Sequence, residues 1–355
     1  MLYAGVDAHK STSHITVLDE AGALVRRLKV ASSPDGIWIA LGDLPGPVKA
    51  VVEASYSWGP IYDWLGEVAD EVILAHPAKV RAIAEARIKT DAIDSRTLAH
   101  LLRADLIPEA YAPSKEIRAI KRVLRQRMFL VRVQTMVKNR IHALLSQHVV
   151  TRPAVTDLFG AVGWRWLHTL SLPEPDAALL RGDLDLLEIL RKQLKETKTL
   201  IKRLAAGDAA VRWLISLPGI GIFLAVLIRY EVDDITRFRE AKKFIGHTGL
   251  VPSTYASGSR LAHGRLTKQG NKWLRWAFAE AVTPAIRHSP SLRQYYDRIK
   301  TRRGVKDARV ATARKLMELA WTIWTEQRCY VEQRTTPATT NRGTRTAAAL
   351  AKAWA

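Results

Sequence analysis

Cysteine is nearly absent from this chain of 355 residues, which carries a single thiol, Cys329. One cysteine excludes a disulfide framework and any thiolate metal cluster. Long apolar runs are missing too. The longest, Leu214 to Ile228, is interrupted by Pro218, Gly219 and Gly221, which makes it too short and too broken to span a bilayer. The N-terminal MLYAGVDAHK carries Asp7 inside its first apolar run, which is not the pattern of a secretory signal. These absences point to a soluble, cytoplasmic protein with no membrane partner. Acid is also scarce: 34 Asp and Glu stand against 55 Lys and Arg, a formal net charge of +21.

Apolar residues make up 48% of the chain, which excludes wholesale disorder and fits a globular protein. At ~100–200 residues per domain, the length suggests two or three domains with ample core. The charge is unevenly spread. Residues 1–75 hold five Lys or Arg and ten Asp or Glu, a local balance of −5, so the remainder carries +26. A basic body neutralises phosphates and releases counterions, while an acidic head supplies carboxylates that can hold a metal. Ribosomal-type binding or plain solubility charge would explain the basic body but leaves the acidic head unexplained.

The first segment reads as strands followed by helices. Leu2–Asp7, Ser13–Leu18 and Leu24–Val30 are short apolar or alternating runs separated by turn-forming residues. VKAVVEA at 48–54 and EVILA at 71–75 predict a fourth and fifth strand. Residues 59–68 have helical spacing, and Pro77 opens a further helix. A three-strand meander followed by strand–helix–strand–helix is the order of a ribonuclease H-like domain, so the fold class is α/β with a mixed sheet.

From Ser114 to Gln147 the chain becomes helical and strongly basic. Residues 114–140 contain nine Lys or Arg, among them Arg118, Arg122 and Arg125, and one acid, Glu116. Ile117, Ile120, Leu124, Val131, Ile141 and Leu145 mark the stripe expected to be buried. A second helix is expected at about 183–205, where Leu187, Leu190, Leu194, Thr197, Ile201 and Leu204 follow an a/d heptad. The two could form an antiparallel pair within one chain, a coiled coil between chains, or ordinary bundle helices with solvated faces. Next comes Leu217-Pro218-Gly219-Ile220-Gly221, which resembles the glycine-rich turn of a helix–hairpin–helix element. Such a turn offers backbone N–H groups to phosphate without reading sequence. It is equally a Gly/Pro turn between core helices. After Tyr330 the Thr- and Ala-rich residues lack periodicity and read as a disordered tail.

Two groups of residues carry chemistry. Asp7 ends the first strand and Glu53 ends VKAVVE; carboxylates closing apolar strands are costly to bury unless paired or metal-bound. Asp91 and Asp94 lie three apart in a helical stretch and share a face. Four such carboxylates suit a two-metal phosphoryl-transfer site, although Asp91 alone would serve as a helix N-terminal charge. The second group spans 251–276. Ser253, Thr254, Ser257 and Ser259 lead into Arg260, Arg265, Lys268, Lys272 and Arg275, with no acid between 258 and 276. A serine on a Ser-Gly turn facing guanidinium groups could attack a phosphodiester whose developing charge the cations stabilise. Taken alone, this stretch reads better as a basic DNA-contacting loop whose serines only bond phosphate.

The motifs G-V-D-A-H-K, V-V-E-A-S, K-T-D-A-I-D-S-R-T-L-A, L-P-G-I-G and F-I-G-H-T-G-L-V-P-S-T-Y-A-S-G-S-R occur in this order, followed by G-R-L-T-K-Q-G-N-K-W-L-R. In that order and spacing the chain resembles the DEDD-type insertion-sequence transposases of the IS-one-ten group, related to Piv-type DNA invertases. The resemblance implies a ribonuclease H/RuvC-like domain at 1–112, a helical coiled-coil region at 113–208 and a C-terminal transposase domain at 209–330, ahead of the tail at 331–355. It implies that Asp7, Glu53, Asp91 and Asp94 bind Mg²⁺, with Mn²⁺ substituting, and that Ser257 forms a covalent phosphoserine with DNA. The family pattern often has two glycines after that serine where this chain has Gly258-Ser259, which makes Ser259 the second candidate. Implied partners are donor and target duplex DNA, a bridge RNA that pairs with both, and further copies of the chain as a dimer of dimers. Arg260, Arg265, Lys268, Lys272, Gly219 and Gly221 join the three α-helical arginines as expected nucleic-acid contacts. The bacterial nucleoid is the implied location. The alternative function is a RuvC-like, metal-dependent, structure-selective nuclease, which has no use for the serine turn.

Overall fold

The N-terminal sheet is built by period-two alternation along its strands. A computed structural model describes residues 1–84, 91–257, 260–267 and 269–332, and the chain divides into two units, Met1–Arg118 and Ala119–Ala355. The first unit contains β1 (Leu2–Ala8), β2 (Thr12–Leu18), β3 (Leu24–Ala31), β4 (Val48–Glu53) and β5 (Glu71–Ala75). They form one sheet in the order β3-β2-β1-β4-β5. The meander pairs are antiparallel, while β1–β4 and β4–β5 are parallel. Four helices accompany the sheet: α1 (Pro34–Leu41), α2 (Trp58–Leu65), α3 (Pro77–Ile83) and α4 (Asp91–Arg103).

Alternation sorts the two faces. Ala4, Val6, Ile15, Val17, Ala50 and Val52 pack with Ile37 and Leu41 of α1 and with Ile61 and Leu65 of α2. The residues between them, Gly5, Asp7, Thr16, Val51 and Glu53, belong to the opposite face, where Val51, Ile73 and Ala75 pack with Leu98, Leu101 and Leu102 of α4. Gly5 is what lets α4 sit so low. A Cβ there would fall 2.1 Å from the Ser95 carbonyl oxygen and 2.5 Å from the Ala99 nitrogen. A hydrogen bond of 2.9 Å between the buried hydroxyls of Thr16 and Ser95 fixes the same contact. α1 is an element the sequence reading did not expect, because its S-S-P-D-G start has turn composition. Ser33 instead caps it, accepting from the Gly36 N–H at 3.1 Å with Pro34 in the first turn.

The chain passes from one unit to the other within α5 (Lys115–Gln147). In the second unit, α6 (Ala161–Thr169) and α7 (Asp176–Ala205) follow. Leu130, Val137, Ile141 and Leu145 of α5 share a core with Leu180, Leu184, Leu187, Leu190 and Leu194 of α7. The pairs His148–Asp176 (2.7 Å) and Arg140–Asp183 (3.4 Å) show that the two helices run antiparallel within the chain. α7 begins before the expected 183, because Leu180 and Leu184 extend the same apolar stripe.

The remaining elements are α8 (Ala209–Ile215), α9 (Ile222–Val232), α10 (Ala241–Thr248), the hairpin β6 (Pro252–Ser257) and β7 (Arg260–Leu266), α11 (Lys272–His288), and α12 (Pro290–Thr325), which kinks at Gly304. Their core gathers Leu214, Ile228, Phe244, Phe278, Leu316 and Met317. Beyond α12 the chain doubles back. The Glu332 carboxylate accepts from the Ser289 hydroxyl (2.8 Å), the Ser291 N–H (3.0 Å) and the Tyr330 hydroxyl (3.0 Å), and the Tyr330 N–H donates to Ser216 (2.7 Å). Among the described residues no helix is long and apolar enough to cross a membrane.

Gly5→Ala should lower stability by about 1–3 kcal/mol, the usual range for forcing extra atoms into a packed contact. Urea denaturation of the purified variant measures this, and an unchanged midpoint would mean that α4 can back away from β1 freely.

Candidate metal centre and nucleic-acid interface

Asp7 reaches the C-terminal edge of β1 on the α4 face. Val6 pairs with Val52 in the parallel β1–β4 ladder, so the next residues, Asp7 and Glu53, are neighbours along that edge. Asp91 and Asp94 occupy the first turn of α4, where the helix N-terminus favours negative charge. The structure thus brings Asp7 and Asp91 together with Asp94 close by, and sets Glu53 on the adjoining strand end.

Two histidines complete the cluster. His9 Nε2 lies 3.3 Å from Asp7 Oδ2 and 3.3 Å from Asp91 Oδ1. Donor atoms of Asp7, His9 and Asp91 all fall within 4.8 Å of one another, a spacing that one metal ion could bridge. His14, paired with Asp7 across β1–β2, holds a buried Nε2 3.3 Å from Asp91 Oδ2, misaligned for a hydrogen bond. Burial pushes the Asp7 carboxyl above the usual aspartate range; His9 opposes the rise, Asp91 and Asp94 add to it, and His14 opposes it more weakly. Crowded carboxylates around misaligned imidazole nitrogen are satisfied by a cation, and oxygen-rich sets suit Mg²⁺ or Mn²⁺. The sequence reading missed both histidines. His9 was visible two residues after Asp7, but His14 needs the hairpin register to be placed opposite it.

The serine stretch forms the β6–β7 hairpin. Ser257 is the last residue of β6 and pairs with Arg260 of β7, with Arg265 further along the same strand. Gly258, Ser259 and Lys268 lie outside the described residues. Lys272, in the first turn of α11, is exposed, with its Nζ 5.0 Å from the Trp273 ring centre. In the L-P-G-I-G turn, Gly219 faces the backbone of α11 near Ala281 and Ala285, whereas Gly221 starts α9 with open space around it.

The three arginines of α5 differ. Arg118 is 13% exposed, bonds Asp63 and the Pro113 carbonyl, and stacks 5.1 Å from the Trp58 ring centre. Arg125 is 45% exposed but bonds Glu231 at 3.2 Å. Arg122 is exposed and makes no ion pair among the described residues.

Residues 4–150 match the family model of the IS110-type DEDD transposases, and residues 211–297 match the transposase IS116/IS110/IS902 family. The chain belongs to the IS110-type DEDD transposases. Along 92% of its length it is 25% identical to a protein described as "Probable family 20 transposase" from Pseudomonas aeruginosa, of which 97% is covered. The transposase for insertion sequence element IS1328 of Yersinia enterocolitica is 24% identical over 91% of this chain and 96% of its own. The transposase for IS1111A of Coxiella burnetii is 22% identical over 92% and 90%. Membership in this family makes the protein an enzyme acting on DNA and suggests a divalent-metal requirement.

The raised Asp7 carboxyl has a consequence for stability. The folded IS110-type chain holds that proton more tightly than the unfolded chain does. Stability therefore falls as pH rises from the ordinary aspartate range through the raised folded value, and the loss persists at neutral pH. Asp7→Asn removes the charge. Its thermal midpoint at pH 7 should exceed that of the native protein, the difference shrinking toward about pH 3. Saturating Mg²⁺ should raise the native midpoint and leave the variant nearly unmoved. A variant no more stable at pH 7 would refute the desolvated-carboxylate reading.

Arg122→Ala should reduce the salt dependence of nucleic-acid binding by about one log–log unit, the slope lost with one phosphate contact. Arg118→Ala should instead lower the stability of the first unit. Filter binding across a salt series and denaturation of both variants separate the two roles.

Proposed function

We propose that this transposase cuts and rejoins donor and target DNA through a covalent phosphoserine at Ser257, assisted by Mg²⁺ held by Asp7, Glu53, Asp91 and Asp94. The observation that carries the reading is the convergence of Asp7 and Asp91, with His9 between them, at the sheet edge where Glu53 also ends its strand. Mn²⁺, which shares the preference for oxygen ligands and accepts imidazole readily, should substitute. Bound metal supplies Lewis-acid charge to phosphate oxygens. On the chain's side, Asp7 and Glu53 are held by paired strands and Asp91 and Asp94 by α4, a rigid frame for ligands. The Ser257 hydroxyl attacks phosphorus, and the phosphorus–oxygen bond to the leaving sugar breaks. That oxygen departs as a hydroxyl with the proton the serine gave up. Arg260, Arg265, Lys268 and Lys272 offset the charge that develops on the phosphorane.

The ribonuclease H/RuvC-like name for the first unit, the helix–hairpin–helix role of Gly219 and Gly221, and the coiled-coil role of α5 and α7 belong to the same reading. So do the division at 1–112, 113–208 and 209–330, bridge-RNA guidance, a dimer of dimers and a nucleoid location; all of these rest on the family resemblance. The exposed basic face of α5 supports a nucleic-acid contact there. A RuvC-like hydrolytic nuclease is the competing reading, since the carboxylates would suit water as the nucleophile equally well.

A denaturing gel of DNA incubated with the protein and Mg²⁺ separates the readings. The native chain should leave a covalent protein–DNA adduct. Ser257→Ala should bind DNA normally yet leave none, and Asp94→Ala should bind with little loss of affinity and not recombine. Cleavage without an adduct in the native protein identifies a hydrolytic nuclease, and an adduct lost only in Ser259→Ala moves the nucleophile by two residues.

A further inference from the structure

Glu231 is a buried charge that the proposed reaction does not use. It lies in the last turn of α9 with its side chain 2% exposed. An ionised carboxylate persists at such a depth only if paired. Arg125 Nη2 meets Oε1 at 3.2 Å, Lys121 Nζ lies 3.8 Å from Oε2, and Asn271 Nδ2 donates to Oε2 at 2.9 Å. Burial holds the Lys121 amine below its ordinary range, with Glu231 opposing that shift. Burial also brings the neighbouring His247 down to about 4, so its imidazole is neutral at physiological pH and does not compete for the carboxylate.

Asn271 does three things at once. Its Oδ1 caps α11, accepting from the N–H groups of Trp273 (2.9 Å) and Leu274 (3.1 Å). Its own N–H donates to the His247 carbonyl at 2.8 Å, and its amide nitrogen reaches Glu231. Capping alone does not explain the choice of residue, because Ser or Asp caps as well as Asn. Asn, unlike Asp, adds a donor, and unlike Ser it carries that donor on an atom separate from the capping oxygen, facing Glu231. The location matters. Residues 249–251 on one side, and Thr267 with residues 269–271 on the other, flank the β6–β7 hairpin as its two legs, joined by a bond from the Thr267 N–H to the Val251 carbonyl (2.9 Å). Gly249 and Gly270, both at positive φ, let the legs touch backbone to backbone. A Cβ on either would lie 2.3 Å from a carbonyl oxygen, of Gln269 and of His247 respectively.

We propose that Glu231 is a positioning residue: by holding Asn271 it fixes the base of the hairpin that carries Ser257, and it ties that base to the basic helix α5. This rests on the reading of Ser257 as nucleophile, but the ordering of the hairpin does not. The carboxylate gathers three segments, α5 through Lys121 and Arg125, the end of α9, and the start of α11. With the base fixed, the hairpin presents its serine in one orientation instead of many, which is how a group remote from the reaction raises its rate.

The test exchanges the donor and acceptor. Asn271→Asp keeps the cap but sets a second carboxylate against Glu231. Backbone amides of 253–257 and 260–266 should then exchange hydrogen about 10–100-fold faster, as expected when a bond to a buried charge is lost. At saturating DNA the covalent adduct should form slower by a similar factor, with DNA affinity within about twofold. Combining Asn271→Asp with Glu231→Gln restores the bond with roles reversed, and both readouts should return toward native. A merely structural loss would lower the thermal midpoint without this rescue. Unchanged hairpin exchange in Asn271→Asp, or a double variant as loose as the single, overturns the proposal. Ser257→Ala on the same gel reports separately on the nucleophile: an adduct that survives there removes the Ser257 assignment while the exchange data still decide the positioning role.

Discussion

The contact of α4 with β1 at Gly5 is the constraint on which the candidate metal centre depends. With no side chain at that position, a helix backbone rests directly on a strand, and the first turn of the helix comes over the strand end where Asp7 stands. The arrangement forces like charges together. With their donor atoms no more than 4.8 Å apart and an effective dielectric of ~20, the repulsion of Asp7 and Asp91 is at least about 3–4 kcal/mol before His9 reduces it. Leu98, Leu101 and Leu102 are buried beneath the same helix and contribute about 1.5–3 kcal/mol each. Packing therefore outweighs repulsion with some margin, and the carboxylates remain poised instead of splaying apart.

Backbone contact also sets the base of the β6–β7 hairpin in the second unit. There the legs of the hairpin meet at Gly249 and Gly270, and a buried carboxylate joins them to the helices around. Cations in that unit serve two different purposes. Arg191 bonds the Phe159 carbonyl at 2.5 Å and stacks 3.7 Å from the Trp164 ring centre, and Arg127 lies 3.7 Å over Phe223. These guanidinium groups hold aromatic side chains in place. A formal charge of +21 thus overstates the number of cations free to meet phosphate.

Much of the first unit was legible in the sequence. Its strands are short apolar or alternating runs, and acids at the C-terminal ends of two of them stood out because nothing else in those runs is polar in the same way. The Asp91/Asp94 spacing needed only helical periodicity. What stayed hidden depends on pairing between distant segments. His14 joins the centre through a register seven residues away from Asp7, and Glu231 meets Asn271 across 40 positions. A buried acid within an apolar helix looks like an imperfection until its partner is known. Charge counting treated Arg118 and Arg122 alike, although one faces Asp63 and the other faces water. α1 was hidden because Ser, Pro, Asp and Gly open helices and turns with equal readiness.

The return of the chain after α12 bears on how this protein can be handled. Glu332 closes a ring of hydrogen bonds with Ser289, Ser291 and Tyr330, while Tyr330 reaches back to Ser216. Those bonds satisfy the first turn of a 36-residue helix and fasten it to the end of α8. A reporter or affinity tag joined after Glu332 leaves this clasp whole. A shortened gene ending at Thr325 removes it, exposing N–H groups that the clasp had satisfied. A shortened version of the enzyme that keeps the clasp therefore extends at least to residue 332, seven positions beyond the last helical turn.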